Sequence, residues 1–189
     1  MSRLKRLGVV IGLLFLTSCS NDKCKKIHIK TFSICVPTSW EFSEEPGIDS
    51  YIGYFVTSAN DTVRLDYGFY SDELTDDGRK QIVVPERLRK ELIAEGRDMS
   101  RYVFVPKDGD ELSIIRKLTT QEFDTVVIDN RRAKITTPKE TGKGITGVHF
   151  DSLDFALEMP IKLTIYGKDL SGDTQNEVLR AIQTIQFKK

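Results

Sequence analysis

What this sequence has little of narrows it first. Only three cysteines, two histidines and one tryptophan occur among its 189 residues. Any Ser-His-Asp or Cys-His hydrolase would have to recruit His28 or His149 as its base. Neither lies in a nucleophile-elbow or papain-like context. His28 alternates with Ile27 and Ile29, and His149 with Val148 and Phe150, so both read as exposed residues on the polar faces of strands. With no second cysteine pair and no nearby histidine pair, a four-ligand zinc site is not expected. An excess of charge is missing too: 28 basic residues balance 28 acidic ones, which argues against a nucleic-acid partner. There is no internal repeat, no low-complexity tract, and no apolar run of the ~18 or more residues that a membrane-spanning helix needs.

What is present begins at the amino terminus. Arg3, Lys5 and Arg6 precede ten uncharged, mostly aliphatic residues, Leu7 to Leu16, the order of a basic n-region and a short h-region. As a helix those ten residues rise about 15 Å, roughly half of a ~30 Å hydrocarbon core, so the segment is too short to span a membrane. Leu16, Thr17, Ser18 and Cys19 follow and resemble the bacterial lipobox. That resemblance implies cleavage before Cys19 and a diacylglycerol thioether, with further acylation such as palmitate, on that cysteine. One acyl chain binds a membrane marginally, at about 0.8 kcal/mol per buried CH₂, whereas two or three chains anchor stably. An ordinary secretory signal with an incidental cysteine is the alternative, and the filled lipobox at this distance from the charges argues against it. Ser20 stands where Asp would resemble an inner-membrane retention signal, so the expected address is the outer membrane of a cell envelope.

Residues 1–18 are therefore expected to be a signal peptide, 19–26 a lipidated tether, and 27–189 one α+β domain large enough for a single core. Beyond Cys19 remain Cys24 and Cys35, in a compartment that would be oxidising. A bridge between them would contribute about 2–3 kcal/mol by loop-entropy arguments. The other reading makes Cys35 a buried thiol in a strand and Cys24 a free residue of the tether.

Along the body, short period-two stretches recur between turn formers, the pattern of strands with one face buried. Val63, Leu65, Tyr67 and Phe69 alternate with Arg64, Asp66 and Tyr70, and Tyr51 to Thr57 should pair with them through a turn at Ser58 to Asp61. Phe123 to Ile128 and Arg132 to Thr137 predict a second hairpin about Asp129–Asn130–Arg131. Ile145 to Asp151 and Ile161 to Gly167 read as two more strands. Two helices are expected. One runs from about Thr174, with Glu177 at capping-box spacing, to Thr184; the other runs from Pro85 to Glu95, stopped by Gly96. Residues 72–80, 107–111 and 138–144 read as loops. The fold class is thus α+β, a largely antiparallel sheet with a C-terminal and a mid-chain helix packed on it.

The stretch Phe32, Ser33, Ile34, Cys35, Val36, Pro37, Thr38, Ser39, Trp40 enters a Pro-x-x-Trp turn, and the chain closes on an amphipathic helix running into Ile185, Gln186 and Phe187. Both ends resemble the PsbP-like and DcrB-like α/β/α sandwich proteins. Ser39 departs from the glycine usual before the Trp. The resemblance implies a binding or accessory role and no catalytic residues.

Other motifs weigh less. Gly142, Gly144 and Gly147 satisfy G-x-G-x-x-G with Asp169 downstream, but Val148 to Asp151 continue as a strand where dinucleotide binding needs a helix. The carboxylates Asp72, Glu73, Asp76 and Asp77, and Asp108, Asp110 and Glu111, lack calcium-loop spacing and read as solvated loops. Trp40, Tyr51, Tyr54, Tyr67 and Tyr70 are either packing residues or a binding groove, with Trp40, Tyr67 and Tyr70 the candidate binding face. Asp61-Thr62-Val63, Asp124-Thr125-Val126 and Asp151-Ser152-Leu153 resemble the Bacteroidota O-glycosylation acceptor. The expectation is a non-enzymatic envelope lipoprotein, an accessory or binding module with its membrane held through lipid, an envelope protein as partner, no catalytic residue, no metal and no cofactor. An envelope-polymer hydrolase and a structural subunit of an envelope complex are the alternatives.

Overall fold

The computed structural model describes residues 24–156 and 158–188. The signal segment 1–18, Cys19 and the tether as far as Lys23 lie outside the described residues. Cys24 to Lys26, expected to belong to the tether, lie in the first strand, with Cys24 laddered to Pro37 and bridged to Cys35.

Among the described residues the strands form three sheets. β1 (Cys24–Ile29) and β2 (Phe32–Pro37) make a hairpin, and the short β12 (Gln186–Phe187) joins the other edge of β2. The main sheet is antiparallel throughout. Its strands are β3 (Glu41–Pro46), β4 (Ser50–Val56), β5 (Thr62–Gly68), β8 (Gln121–Ile128), β9 (Arg131–Pro138), β10 (Ile145–Ala156) and β11 (Met159–Lys168). They lie in the order β3-β4-β5-β11-β10-β9-β8. The β8–β9 turn is tight because Asp129 and Asn130 accept φ of 46° and 62°, the left-handed region that short polar side chains tolerate.

Alternation gives the main sheet two faces, and register sets which residues share one. Leu65, Ile165, Val148 and Ile135 are successive cross-strand partners and all are buried. Phe55, Val63, Leu163 and Phe150 join them. Over this face lie the β1–β2–β12 sheet and α3 (Gly172–Gln183), which packs against β2 and β10. Val178, Ala181 and Ile182 recur at helical spacing and are buried; each fully buried aliphatic side chain contributes about 1.5–3 kcal/mol. The cap of α3 is Ser171, whose hydroxyl accepts from Thr174 N, three residues before the start expected from sequence. Glu177, expected to close a capping box, instead accepts the indole N–H of the buried Trp40 at 3.1 Å.

The opposite face is crossed by residues 69–81, which have no regular structure. Leu74, at φ 49°, inserts its side chain and is buried. Polar contacts hold the segment down: Ser71 Oγ donates to Asp66 O at 3.0 Å, Thr164 Oγ1 to Asp72 O at 2.6 Å, and Gln121 Nε2 to Asp76 O at 2.7 Å. Between this segment and β8 the chain makes an excursion. β6 (Ile82–Pro85) and β7 (Tyr102–Val105) pair in parallel, α1 (Arg89–Ala94) connects them after a 3-10 turn, and α2 (Glu111–Leu118) leads into β8. The expected helix from Pro85 is shortened because Pro85 and its predecessors pair with β7. Gly96, at φ 70°, ends the helical region. The β6–β7 pair and α2 were not anticipated.

Candidate functional site

The site grows out of one row of the main sheet. Thr125, Lys134, His149 and Thr164 are successive cross-strand partners on β8, β9, β10 and β11, on the face away from α3. The β9–β10 ladder stops at the Lys134–His149 pair, and just beyond it β10 carries a register irregularity against β11, between Phe150 and Asp154. Where the two strands part there is a recess of about 660 Å³, lined among others by Glu73, Thr125, Arg132, Lys134, His149 and Asp151. Arg131 bridges the gap by donating to Leu153 O while its guanidinium stacks on Phe187.

His149 is buried, its side chain only 5 % exposed, whereas alternation alone placed it on a solvated face. The crossing segment, with Leu74 buried and Asp72 O on Thr164, lies on this face. His149 Nδ1 lies 2.9 Å from Thr164 Oγ1, and that hydroxyl already donates its one hydrogen to Asp72 O. Thr164 must therefore accept from Nδ1–H, which leaves the lone pair of the neutral ring on Nε2. Nε2 is itself buried and has no hydrogen-bond partner among the described residues. Asp151 Oδ1 stands 3.8 Å away. Burial, then the Lys134 ammonium, hold the imidazole below its usual pKa, against the opposing pull of Asp151 and Glu73.

The charges around it divide unevenly. Lys162 Nζ is 2.6 Å from Glu73 and 3.9 Å from Asp151 Oδ1, and the hydrogen bond from Lys162 keeps the Glu73 carboxyl below its usual range. Among the described residues neither Lys134 nor Arg132 has a carboxylate within 4.0 Å. Among the described residues the recess thus combines two cations without a carboxylate partner with the Asp151 carboxylate and the buried His149 ring. No set of three metal-binding side chains occurs among the described residues.

The other expected positions fall elsewhere. Cys24 and Cys35 are bridged, with Cα atoms 5.6 Å apart. Trp40, Tyr67 and Tyr70 share no face. Trp40 is buried against Phe55, and Tyr67 is half-buried on the α3 side beside Phe32, while Tyr70 is 73 % exposed at the strand end. Tyr67 and Tyr51 line a second recess of about 700 Å³ beside Lys30. Both phenols there have partners: Tyr67 Oη accepts from Thr31 at 3.1 Å and Tyr51 donates to Glu44, and burial followed by that carboxylate pushes the Tyr51 phenol up to about 12. His28 is exposed. Gly142 and Gly144 make a turn and Gly147 lies inside β10, so the glycine motif opens a strand. Asp72, Asp76 and Asp77 accept from the backbone two residues on and shape their own loop, and Asp110 caps α2.

These features define an α+β protein with a largely antiparallel sheet and a polar recess on its outer face. Compared with known protein families and with characterised proteins, the chain matches none. No helix among the described residues is long and apolar enough to cross a membrane.

Proposed function

We propose that this chain is a lipid-anchored protein of a bacterial envelope, held through Cys19 on the outer membrane, and that its domain is a non-enzymatic binding or accessory module whose binding site is the recess around His149. The lipobox residues Leu16 to Cys19 support the anchor, and the Cys24–Cys35 bridge suits an exported, oxidising setting. The resemblance of both chain ends to PsbP-like and DcrB-like proteins favours the same kind of role. The observation that carries the binding reading is the recess itself, where Arg132, Lys134 and Asp151 converge beside the buried His149 ring. Polar groups converging in a recess are what small-molecule sites need. Intact mass of the protein extracted from membranes tests the anchor. The expected mature chain begins at Cys19 and carries acyl mass, and the Cys19→Ser variant carries none; a native chain without acyl mass overturns the anchor.

One observation favours a second reading, a hydrolase of envelope polymers. His149 lines the recess with Asp151 Oδ1 3.8 Å from its Nε2, the pairing of a general base with a carboxylate. Against a covalent mechanism, no serine, threonine or cysteine among the described residues hydrogen-bonds its Nε2. Release of soluble fragments from envelope polymers by the wild type, abolished by His149→Gln, would establish that reading in place of the first.

A further inference from the structure

We infer that β8 is an interface strand: its free edge pairs antiparallel with β8 of a second copy of this chain, about a two-fold axis at Thr125, and joins the two main sheets into one.

The free edge follows from the turn. Ile128 and Arg131 close the two-residue Asp129–Asn130 connection, whose left-handed φ values make them a hydrogen-bonded pair. Such pairs alternate along a ladder, so Val126, Asp124 and Glu122 also bond to β9, while the N–H and C=O groups of Phe123, Thr125 and Val127 point away from the sheet. β8 is the last strand of the main sheet, and among the described residues no backbone hydrogen bond from outside the ladder reaches these three residues. The element that packs along β8 is β9. The side chains are open as well, with Phe123 40 % and Val127 71 % exposed. The opposite edge of the sheet is guarded in a way that this one is not. β3 carries Glu41, Glu44 and Glu45 and ends on Pro46, the charges and proline that discourage edge-to-edge pairing. Thr125 to Ile128 is a run of β-branched residues without charge or proline.

Register selects the occupant. A partner strand must present its own outward groups in step with Phe123, Thr125 and Val127, and an antiparallel copy of β8 does so. Centred on Thr125, it sets Thr125 against Thr125 and Phe123 against Val127 of the second copy, twice over, for about six new backbone bonds at two per pair. The exposed Phe123 ring and Val127 then meet side by side, an aromatic and β-branched cross-strand pair. Charge excludes the neighbouring registers. Centring on Asp124 places that carboxylate opposite its own copy, and centring on Phe123 sets Glu122 opposite Asp124, like charges directly opposed. Centring on Val126 sends Phe123 to Asp129, which belongs to the left-handed turn and lies outside the strand. About Thr125, by contrast, Glu122 and Asp124 face Ile128 and Val126 of the second copy.

The two-fold axis of such a pair stands normal to the sheet and preserves its faces. Both small sheets, and with them both Cys24 residues, therefore fall on one side of the joined sheet, which suits two chains held on one membrane. The pairing itself does not depend on the anchor.

The test is oxidative cysteine crosslinking of the full-length chain in the cells that make it, before purification. Thr125→Cys is expected to give a covalent dimer, since facing residues of a hydrogen-bonded pair lie about 5.5 Å apart at Cα, inside the disulfide range. Val127→Cys is expected to give none, because its two copies are out of step by four residues, about 14 Å. Both positions are exposed, so neither variant disturbs the core. Thr125→Pro supplies a second measurement. The N–H that it removes points outward, so the β8–β9 ladder stays intact, and the sedimenting mass of the purified protein, corrected for bound detergent, should fall from a dimer in the wild type to a monomer. A wild type that sediments as a monomer, a Thr125→Pro variant that stays a dimer, or Val127→Cys crosslinking as readily as Thr125→Cys overturns the pairing. Crosslinking of Thr125→Cys to a different protein in place of its own copy overturns the choice of occupant.

Discussion

His149 owes its chemistry to three neighbours on three different segments. Thr164 on β11 takes the Nδ1 hydrogen, Asp72 in the crossing segment takes the hydrogen of Thr164, and Lys134 on β9 discourages a second proton on the ring. The sign of its effect on stability follows. The folded imidazole titrates below its ordinary value of about 6.5, so in the window just under that pH the unfolded chain binds a proton that the native chain does not. Stability is therefore full above about pH 6.5 and falls as the pH drops from there toward the lowered folded value. Asp151 and Glu73 oppose the shift, and Lys134 and Lys162 reinforce the burial. Thermal unfolding at pH 7.5 and 5.5 should show a lower Tm at the acid pH for the wild type and a smaller difference for His149→Gln. Each kcal/mol lost corresponds to about 2–4 °C for a chain of this size. Equal pH dependence of the two proteins would contradict a neutral, buried His149.

At the level of elements, the β1–β2 hairpin is the piece most in need of support, since a hairpin with one two-residue partner is marginal in water. Three devices hold it. Ile29, Phe32, Ile34 and Val36 are buried under α3 and the main sheet. Thr184, just past α3, accepts from Cys35 N at 2.8 Å. The Cys24–Cys35 bridge closes the hairpin covalently. Reduction should lower the unfolding free energy by about 2–3 kcal/mol, read as a shift in denaturant midpoint with and without reductant. Cys35→Ser should match the reduced protein and no longer respond to reductant. A midpoint unmoved by reduction would mean that packing alone holds the hairpin.

Across the whole molecule the burial is uneven. The main sheet, α3 and the small sheet share one core, whereas in residues 82–118 only Val105 is buried. Ile82, Ile93 and Leu112 there are exposed, and the contacts include surface pairs such as Arg89 with Glu86 and with the Phe104 ring. Exposed pairs of this kind contribute between about 0 and 1 kcal/mol. Local opening is cheapest where few apolar contacts are lost. Amides of β6, β7, α1 and α2 should therefore exchange with solvent well before those of β5, β10 and β11, measured by hydrogen–deuterium exchange. Protection of 82–118 equal to that of the central strands would require a cover that the excursion lacks.

Local pattern was enough to determine the β4–β5 and β8–β9 hairpins and the inward residues of β5, β10 and β11, because alternation and turn chemistry act over a few neighbours; the β1–β2 and β3–β4 pairings were not legible in it. Val63 with Leu65, Val148 with Phe150, and the Asp129–Asn130 turn all sit where that pattern puts them. It also gave the α+β class, and the apolar stripe through Val178 and Ile182 gave the last helix. The fate of the second face was decided only by the tertiary structure. Residues 69–81 carry no periodicity, yet they cross this face with Leu74 buried and Asp72 O on Thr164, and His149, read as solvated, is buried there. Trp40 went the other way, into the core with its indole N–H on Glu177. The recess itself joins residues from β8, β9, β10 and the crossing segment, far apart in sequence, and lies where the β9–β10 ladder stops. No local spacing encodes such a meeting, since it depends on register across the sheet and on what docks over it.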